Sequence, residues 1–255
     1  MVIDRERVKQ AFQEYTGRYD IHDEKIRLKV EHTYRVADIS EQIAEKLGLS
    51  EEDIALAWLI GMLHDIGRFE QLKRFNSFEA DTMDHATYGV QVLFEEGMIR
   101  QFIEEDTWDD VIRTAIAKHS DYELTGITDE RTLLHARLIR DADKLDNCRV
   151  KLEDAMETLL DLSADEVGKY AISPKVREDA FAGKCICSKD RRTPMDYWVS
   201  YVAYFYDLNF RETLDIVAEE QYVKRIIGRV PYTNEQTKKT MEELERQLTE
   251  YVRRK

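Results

Sequence analysis

The segment IALAWLIGMLHDIGRFEQ, residues 54–70, constrains this chain more than any other. Apolar side chains or glycine fill nearly every position before His64, so no helical face is left polar and the segment predicts a helix buried on all sides. The run is well short of the roughly 20 residues that span a bilayer. It leads straight into His64 and Asp65. A carboxylate at the end of such a helix costs several kcal/mol to bury unless a cation compensates it. Arg68 is the nearest basic residue in sequence. Neighbouring helical positions point about 100° apart, so His64 and Asp65 do not readily pair with each other. Both can converge on a third body lying between helices, and a metal ion is such a body.

The rest of the chain has the composition of a helical protein. Of 255 residues, 43% are hydrophobic and 35% charged, with 10 glycines and 3 prolines, too few turn formers for an all-β fold. An all-α protein is expected. Helical periodicity predicts helices over about 4–18 and 24–47, the second stopped by Gly48. Ser50 followed by Glu51, Glu52 and Asp53 starts the apolar helix, which should end near Gly67. Further helices are expected at about 83–96, 108–119 and 129–147, with 74–84 as a connecting loop. Helical patterns continue beyond 150, and no low-complexity linker separates the halves. We therefore expect a helical domain over 1–150 and a helical extension over 151–255, packed on it and able to cover its site.

Six histidines are present: His22, His32, His64, His85, His119 and His135. His32 sits in KVEHTYRVA, His85 in MDHATYGVQVL, His119 in IAKHSDYE, and Asp143 in LIRDADKLDN. Imidazole and carboxylate together suit divalent Mn, Fe, Co, Ni or Zn ions. His22 reads as an exposed residue before a helix, and His135 as packing. Asp141 and Asp143 lie on opposite sides of their helix, so only one can face an ion, whereas Asp146 shares the face of Asp143.

His32, the HDIGR run at 64–68 and Asp143 in DADKLDN together resemble the HD-domain superfamily of metal-dependent phosphohydrolases over about residues 28–147. The resemblance implies an all-α HD-type helical core, with His32, His64, Asp65 and Asp143 as ligands of a first metal. Members with a second metal add two histidines between the doublet and the final aspartate, where His85 and His119 fall, and Asp65 would then bridge two ions. The GYP-type signature of cyclic-dinucleotide phosphodiesterases is missing, because SDYELTG follows His119, and this argues against cyclic di-GMP. The implied reaction is attack of metal-bound hydroxide on phosphorus in a nucleotide or other small phosphorylated metabolite. Arg68 and Lys144, the bases nearest the ligands in sequence, are candidates to act in catalysis and to neutralise a phosphate oxygen. Two alternatives differ in kind: a non-hydrolytic nucleotide- or metal-binding regulator, and an oxygen-activating di-iron enzyme.

The second half matches no motif. GKCICSKDRRTP concentrates bases in an acidic chain, and Arg191 and Arg192 are candidates to bind substrate phosphate, against the simpler reading of a solvated loop. The aromatics of DYWVSYVAYFYDLNF read as helix core. Cys148, Cys185 and Cys187 fit neither a zinc ribbon nor a disulfide framework and read as reduced thiols. A net charge of −14 argues against nucleic acid as a partner, and no segment suggests a membrane span or signal peptide. A cytoplasmic protein is expected, with oligomeric state open and a homodimer compatible.

Overall fold

The computed structural model describes residues 3–79 and 81–255. Positions 1, 2 and 80, which include the start of the expected first domain and one residue of the loop read at 74–84, lie outside the described residues. Every regular element among the described residues is helical, as the composition predicts. None of these helices is long and apolar enough to cross a membrane. The chain divides into two compact units, residues 1–146 and 147–255.

The first unit contains α1 (Arg5–Thr16), α2 (Glu24–Lys46), α3 (Glu51–Leu63), α4 (Arg68–Phe75), α5 (His85–Val90), α6 (Ile99–Phe102), α7 (Asp109–Lys118) and most of α8 (Glu130–Glu153). A π-helical turn, Gln91–Glu95, follows α5. Helix starts follow side-chain chemistry: Asp23 caps α2, Asp84 caps α5, and Ser50 Oγ accepts from the Asp53 N–H at 3.1 Å to cap α3. Every residue of α3 from Leu56 to Leu63 is buried, as the unbroken apolar run requires.

Close packing of α2 on α3 rests on Gly61. A Cβ there would lie 2.5 Å from the Ala37 Cα, so only glycine lets the two backbones approach this closely. One turn further along the pair, the His32 and His64 rings meet edge to face at 5.5 Å. The apolar helix ends earlier than its sequence suggests, at Leu63 rather than near Gly67. Residues 64–67 form tight turns, with the Ile66 N–H donating to Leu63 O at 3.2 Å and the Arg68 N–H to Asp65 O at 2.9 Å. The chain then restarts as α4, which takes Arg74 and Phe75 from the expected loop. Similarly, α8 continues past 147 to Glu153.

A part-buried polar cluster joins α3 to α8. His135 Nε2 lies 3.0 Å from Asp53 Oδ1, and Arg131 Nε donates to the same oxygen at 2.7 Å. Burial holds His135 below the ordinary histidine value, opposed by Asp53. The unfolded imidazole titrates near 6.5. Below that pH the unfolded chain binds the proton first, so stability present at pH 7 is lost as pH falls below 6.5 and through the lower folded value. His135→Gln is expected to flatten the fall of Tm between about pH 7 and pH 5. An unchanged slope in that variant would refute this role for His135.

The second unit carries α9 (Met156–Leu160), α10 (Ala164–Val167), α11 (Pro174–Phe181), α12 (Pro194–Ala203), α13 (Arg211–Glu219), α14 (Tyr222–Ile227) and α15 (Glu235–Arg254). α11, α13 and α14 pack on α15, whose buried stripe is Met241, Leu244, Leu248 and Val252. Trp198 and Phe205 are fully buried, so these members of the aromatic run are core.

Candidate metal centre

Five elements of the first unit deliver six donors to one place. His32 comes from the middle of α2, His64 caps α3, and Asp65 follows in the turn. His85 opens α5, His119 ends α7, and Asp143 lies on α8. The donor atoms form two groups able to hold a metal ion: His32, His64 and Asp143, and Asp65, His85 and His119. Within the first, His32 Nε2 lies 3.0 Å and His64 Nε2 3.9 Å from Asp143 Oδ1. The Asp65 carboxylate stands between the groups. Its Oδ2 is 3.7 Å from His32 Nε2 and 3.5 Å from His64 Nε2; its Oδ1 is 3.3 Å from His85 Nε2 and 3.7 Å from His119 Nε2.

Three of the four imidazoles are held by their other nitrogen. The Nδ1–H of His64 donates to Gly61 O and that of His119 to Ile116 O, both at 2.7 Å, while His32 Nδ1 meets Asp146 Oδ2 at 2.7 Å. These bonds leave Nε2 with its lone pair directed at the centre, the arrangement metal-binding histidines use. Nε2 of His64 is buried and makes no hydrogen bond, while the buried Nε2 of His32 faces Asp143 Oδ1 at 3.0 Å. Imidazole nitrogens converging beside ionised carboxylates fit a divalent cation. Asp146 acts on His32 as its shared face with Asp143 suggested.

Electrostatics favour the ligating states of His64, His85, Asp65 and Asp143, whereas at His32 burial is outweighed by Asp143 and Asp146, which raise its pKa. Burial takes His64 down to about 4 and, together with Arg68, His85 down to about 3, so both are neutral near pH 7. Burial alone would raise the carboxyls of Asp65 and Asp143. For Asp65 this is outweighed by Lys29, His64 and Arg68, for Asp143 by His32 and His64, and both stay well below the usual carboxylate range. Five of the six side chains are at most 6% exposed, whereas Asp143 is 24% exposed, so the cluster meets solvent at Asp143.

Neighbouring elements fix the two ligand-bearing turns. Tyr15 on α1, buried and with its hydroxyl raised to about 12, donates to Ile66 O at 2.9 Å and pins the turn after Asp65. Arg140 on α8 reaches the carbonyls of Lys118, His119 and Asp121, the last at 2.5 Å, tying the end of α7 to the helix that carries Asp143.

Arg68 belongs to the centre. Its Nη2 lies 2.9 Å from His85 Nε2 and its Nε 3.6 Å from Asp65 Oδ1, while Nη1 donates to Gln71 and to Phe78 O. Lys144, next to Asp143, is half-buried and donates to Arg140 O at 3.4 Å. Arg191 and Arg192 lie in the second unit at the start of α12. There the Arg191 guanidinium stands over the Tyr197 ring at 4.2 Å and the Arg192 N–H donates to Asp196 Oδ2 at 2.8 Å. These contacts are those of a helix start.

Lys29 is the residue that sequence reasoning missed. It is buried, and its Nζ donates to Asp65 Oδ2 at 2.7 Å. A search for bases adjacent in sequence to the ligands finds Arg68 and Lys144; Lys29 is adjacent instead on the helix, three residues before His32 on the same face. Its replacement by Met leaves the Asp65 charge undercompensated and is expected to destabilise the metal-free protein by about 3 kcal/mol. Denaturant unfolding with and without added Mn²⁺ checks this: the metal should restore much of the loss, and a metal-free Lys29→Met as stable as wild type would refute it.

Residues 30–148 match the family model of the HD domain, a span that contains all six donors. The match is consistent with the HD-domain superfamily of metal-dependent phosphohydrolases, and this part of the chain carries His/Asp groups able to hold divalent metal. Comparison with curated proteins and with solved structures finds no match.

Proposed function

We propose that the protein is a metal-dependent phosphohydrolase acting on a nucleotide or another small phosphorylated metabolite. The observation that carries this reading is the division of the two Asp65 oxygens between two histidine groups whose Nε2 lone pairs converge. His32, His64 and Asp143 would hold one ion, His85 and His119 a second, and Asp65 would touch both. Bound there, divalent ions lower the pKa of coordinated water and polarise phosphoryl oxygens.

The chain's own residues supply the rest. Asp65 stays ionised because Lys29 and Arg68 face it, and a fixed carboxylate can orient an attacking water. Arg68 presents a fork of N–H donors beside Asp65, suited to the charge that develops on a phosphoryl oxygen. Lys144, adjacent to the exposed edge at Asp143, is placed to draw in an anion there. The four histidines and Asp65 are buried, which strengthens each of these interactions.

The test is phosphate release from a panel of nucleotides and phosphomonoesters by metal-stripped protein reconstituted with Mn²⁺, Co²⁺ or Ni²⁺. Release that depends on added metal is expected. No turnover of any phosphate compound by protein with metal demonstrably bound would overturn the reading. A mixed-valent iron spectrum with oxygen consumption would instead place the chain with oxygen-activating HD-fold enzymes.

A further inference from the structure

The two donor groups differ in what already engages their lone pairs. In the first, His64 Nε2 makes no hydrogen bond, and His32 Nε2 faces Asp143 Oδ1 at 3.0 Å, a fellow donor of the same group and not a competing cation. In the second, Arg68 Nη2 stands 2.9 Å from His85 Nε2. A guanidinium nitrogen can only donate, so His85 Nε2 is the acceptor, and an imidazole nitrogen has a single lone pair. While that lone pair accepts from Arg68 it cannot coordinate an ion. His119 points its own donor the same way: its Nδ1–H is committed to Ile116 O, so its Nε2 lone pair faces His85 Nε2 at 3.0 Å. Lys29 is a different case. A carboxylate oxygen has lone pairs to spare, so Lys29 can stay on Asp65 Oδ2 while Asp65 coordinates.

We propose that Arg68 is a built-in competitor of the second metal ion: the chain holds one ion firmly at His32, His64 and Asp143, and takes a second at Asp65, His85 and His119 only when Arg68 releases His85. This rests on the phosphohydrolase reading for the ligand that draws Arg68 away. The guanidinium is anchored at Nη1 by Gln71 and Phe78 O, so releasing His85 needs a small rotation of the head and leaves that anchor in place. Its Nε–H is buried without a hydrogen-bond partner, a donor that a phosphoryl oxygen would satisfy. An anion that turns Arg68 toward itself frees His85, so phosphate and the second ion bind cooperatively, each raising the affinity for the other. Filling of the second position is thereby tied to the presence of substrate.

The experiment is a Mn²⁺ titration of metal-stripped full-length protein, with free ion counted by electron paramagnetic resonance, in wild type with and without inorganic phosphate and in Arg68→Gln. Wild type is expected to bind one ion tightly and a second about tenfold or more weakly, the scale of one charge-assisted hydrogen bond. Phosphate, and separately Arg68→Gln, should tighten the second ion and leave the first unchanged. Two ions of equal affinity in wild type, or a second ion that neither phosphate nor Arg68→Gln tightens, would overturn the proposal. Should Arg68→Gln fail to fold, Arg68→Lys keeps the charge but loses the fork, and a second ion unmoved in that variant and by phosphate overturns the proposal equally. Absence of turnover with both ions bound would sink the hydrolase reading but not the competition seen in the titration, so the two failures are distinguishable.

Discussion

Phosphate release by Asp65→Ala is expected to fall by about a thousandfold or more, to the level of the metal-free wild type. Asp65 lies within 4.0 Å of all four histidine Nε2 atoms, so removing it weakens both groups at once, whereas any single histidine weakens one. The variant also leaves Lys29 buried without its partner, which destabilises the fold for a reason unrelated to catalysis. The double variant Lys29→Met with Asp65→Leu separates the two effects. It removes both charges together, so stability should largely return while activity stays lost. Activity retained in Asp65→Ala within about tenfold of wild type would show that this carboxylate does not organise the reaction.

The second large effect is expected at Gly67. A Cβ there would meet His85 O at 2.1 Å and Gly89 N at 2.6 Å, both main-chain atoms of the α5 segment that cannot move aside as a side chain would. Gly67→Ala should therefore push the turn after Asp65 away from α5, with a loss of about 3 kcal/mol or more in denaturant unfolding. His85 moves with its carbonyl, so the same variant should lose the second ion before the first. A Gly67→Ala protein with wild-type stability and metal content would contradict the close approach.

The membership of this cluster was legible where its signals are local. HDIGR places two donors at the end of an apolar helix, and DADKL places a third, with Asp146 one helical turn from Asp143. The structure brings His32, His64, Asp65, His85, His119 and Asp143 together as those signals imply. The features that escaped are those that sequence distance hides. Lys29 acts on Asp65 from another helix, and Gly67 is required by a backbone more than a dozen residues away in the chain. The end of α3 was misplaced for a related reason: where every position is apolar, periodicity carries no mark of where the helix stops, and the turn is set by tertiary contacts such as Tyr15 to Ile66 O. The π-helical turn at Gln91–Glu95 interrupts a pattern that reads as one helix, with no residue that announces it.

Anomalous scattering from crystals grown with Mn²⁺ or Co²⁺ tests the central claim most directly. The strongest peak is predicted at coordination distance, about 2.0–2.2 Å, from Nε2 of His32 and His64 and from a carboxylate oxygen of Asp143. A saturating metal soak that yields no peak there, or a strongest peak bound by other residues, would contradict it.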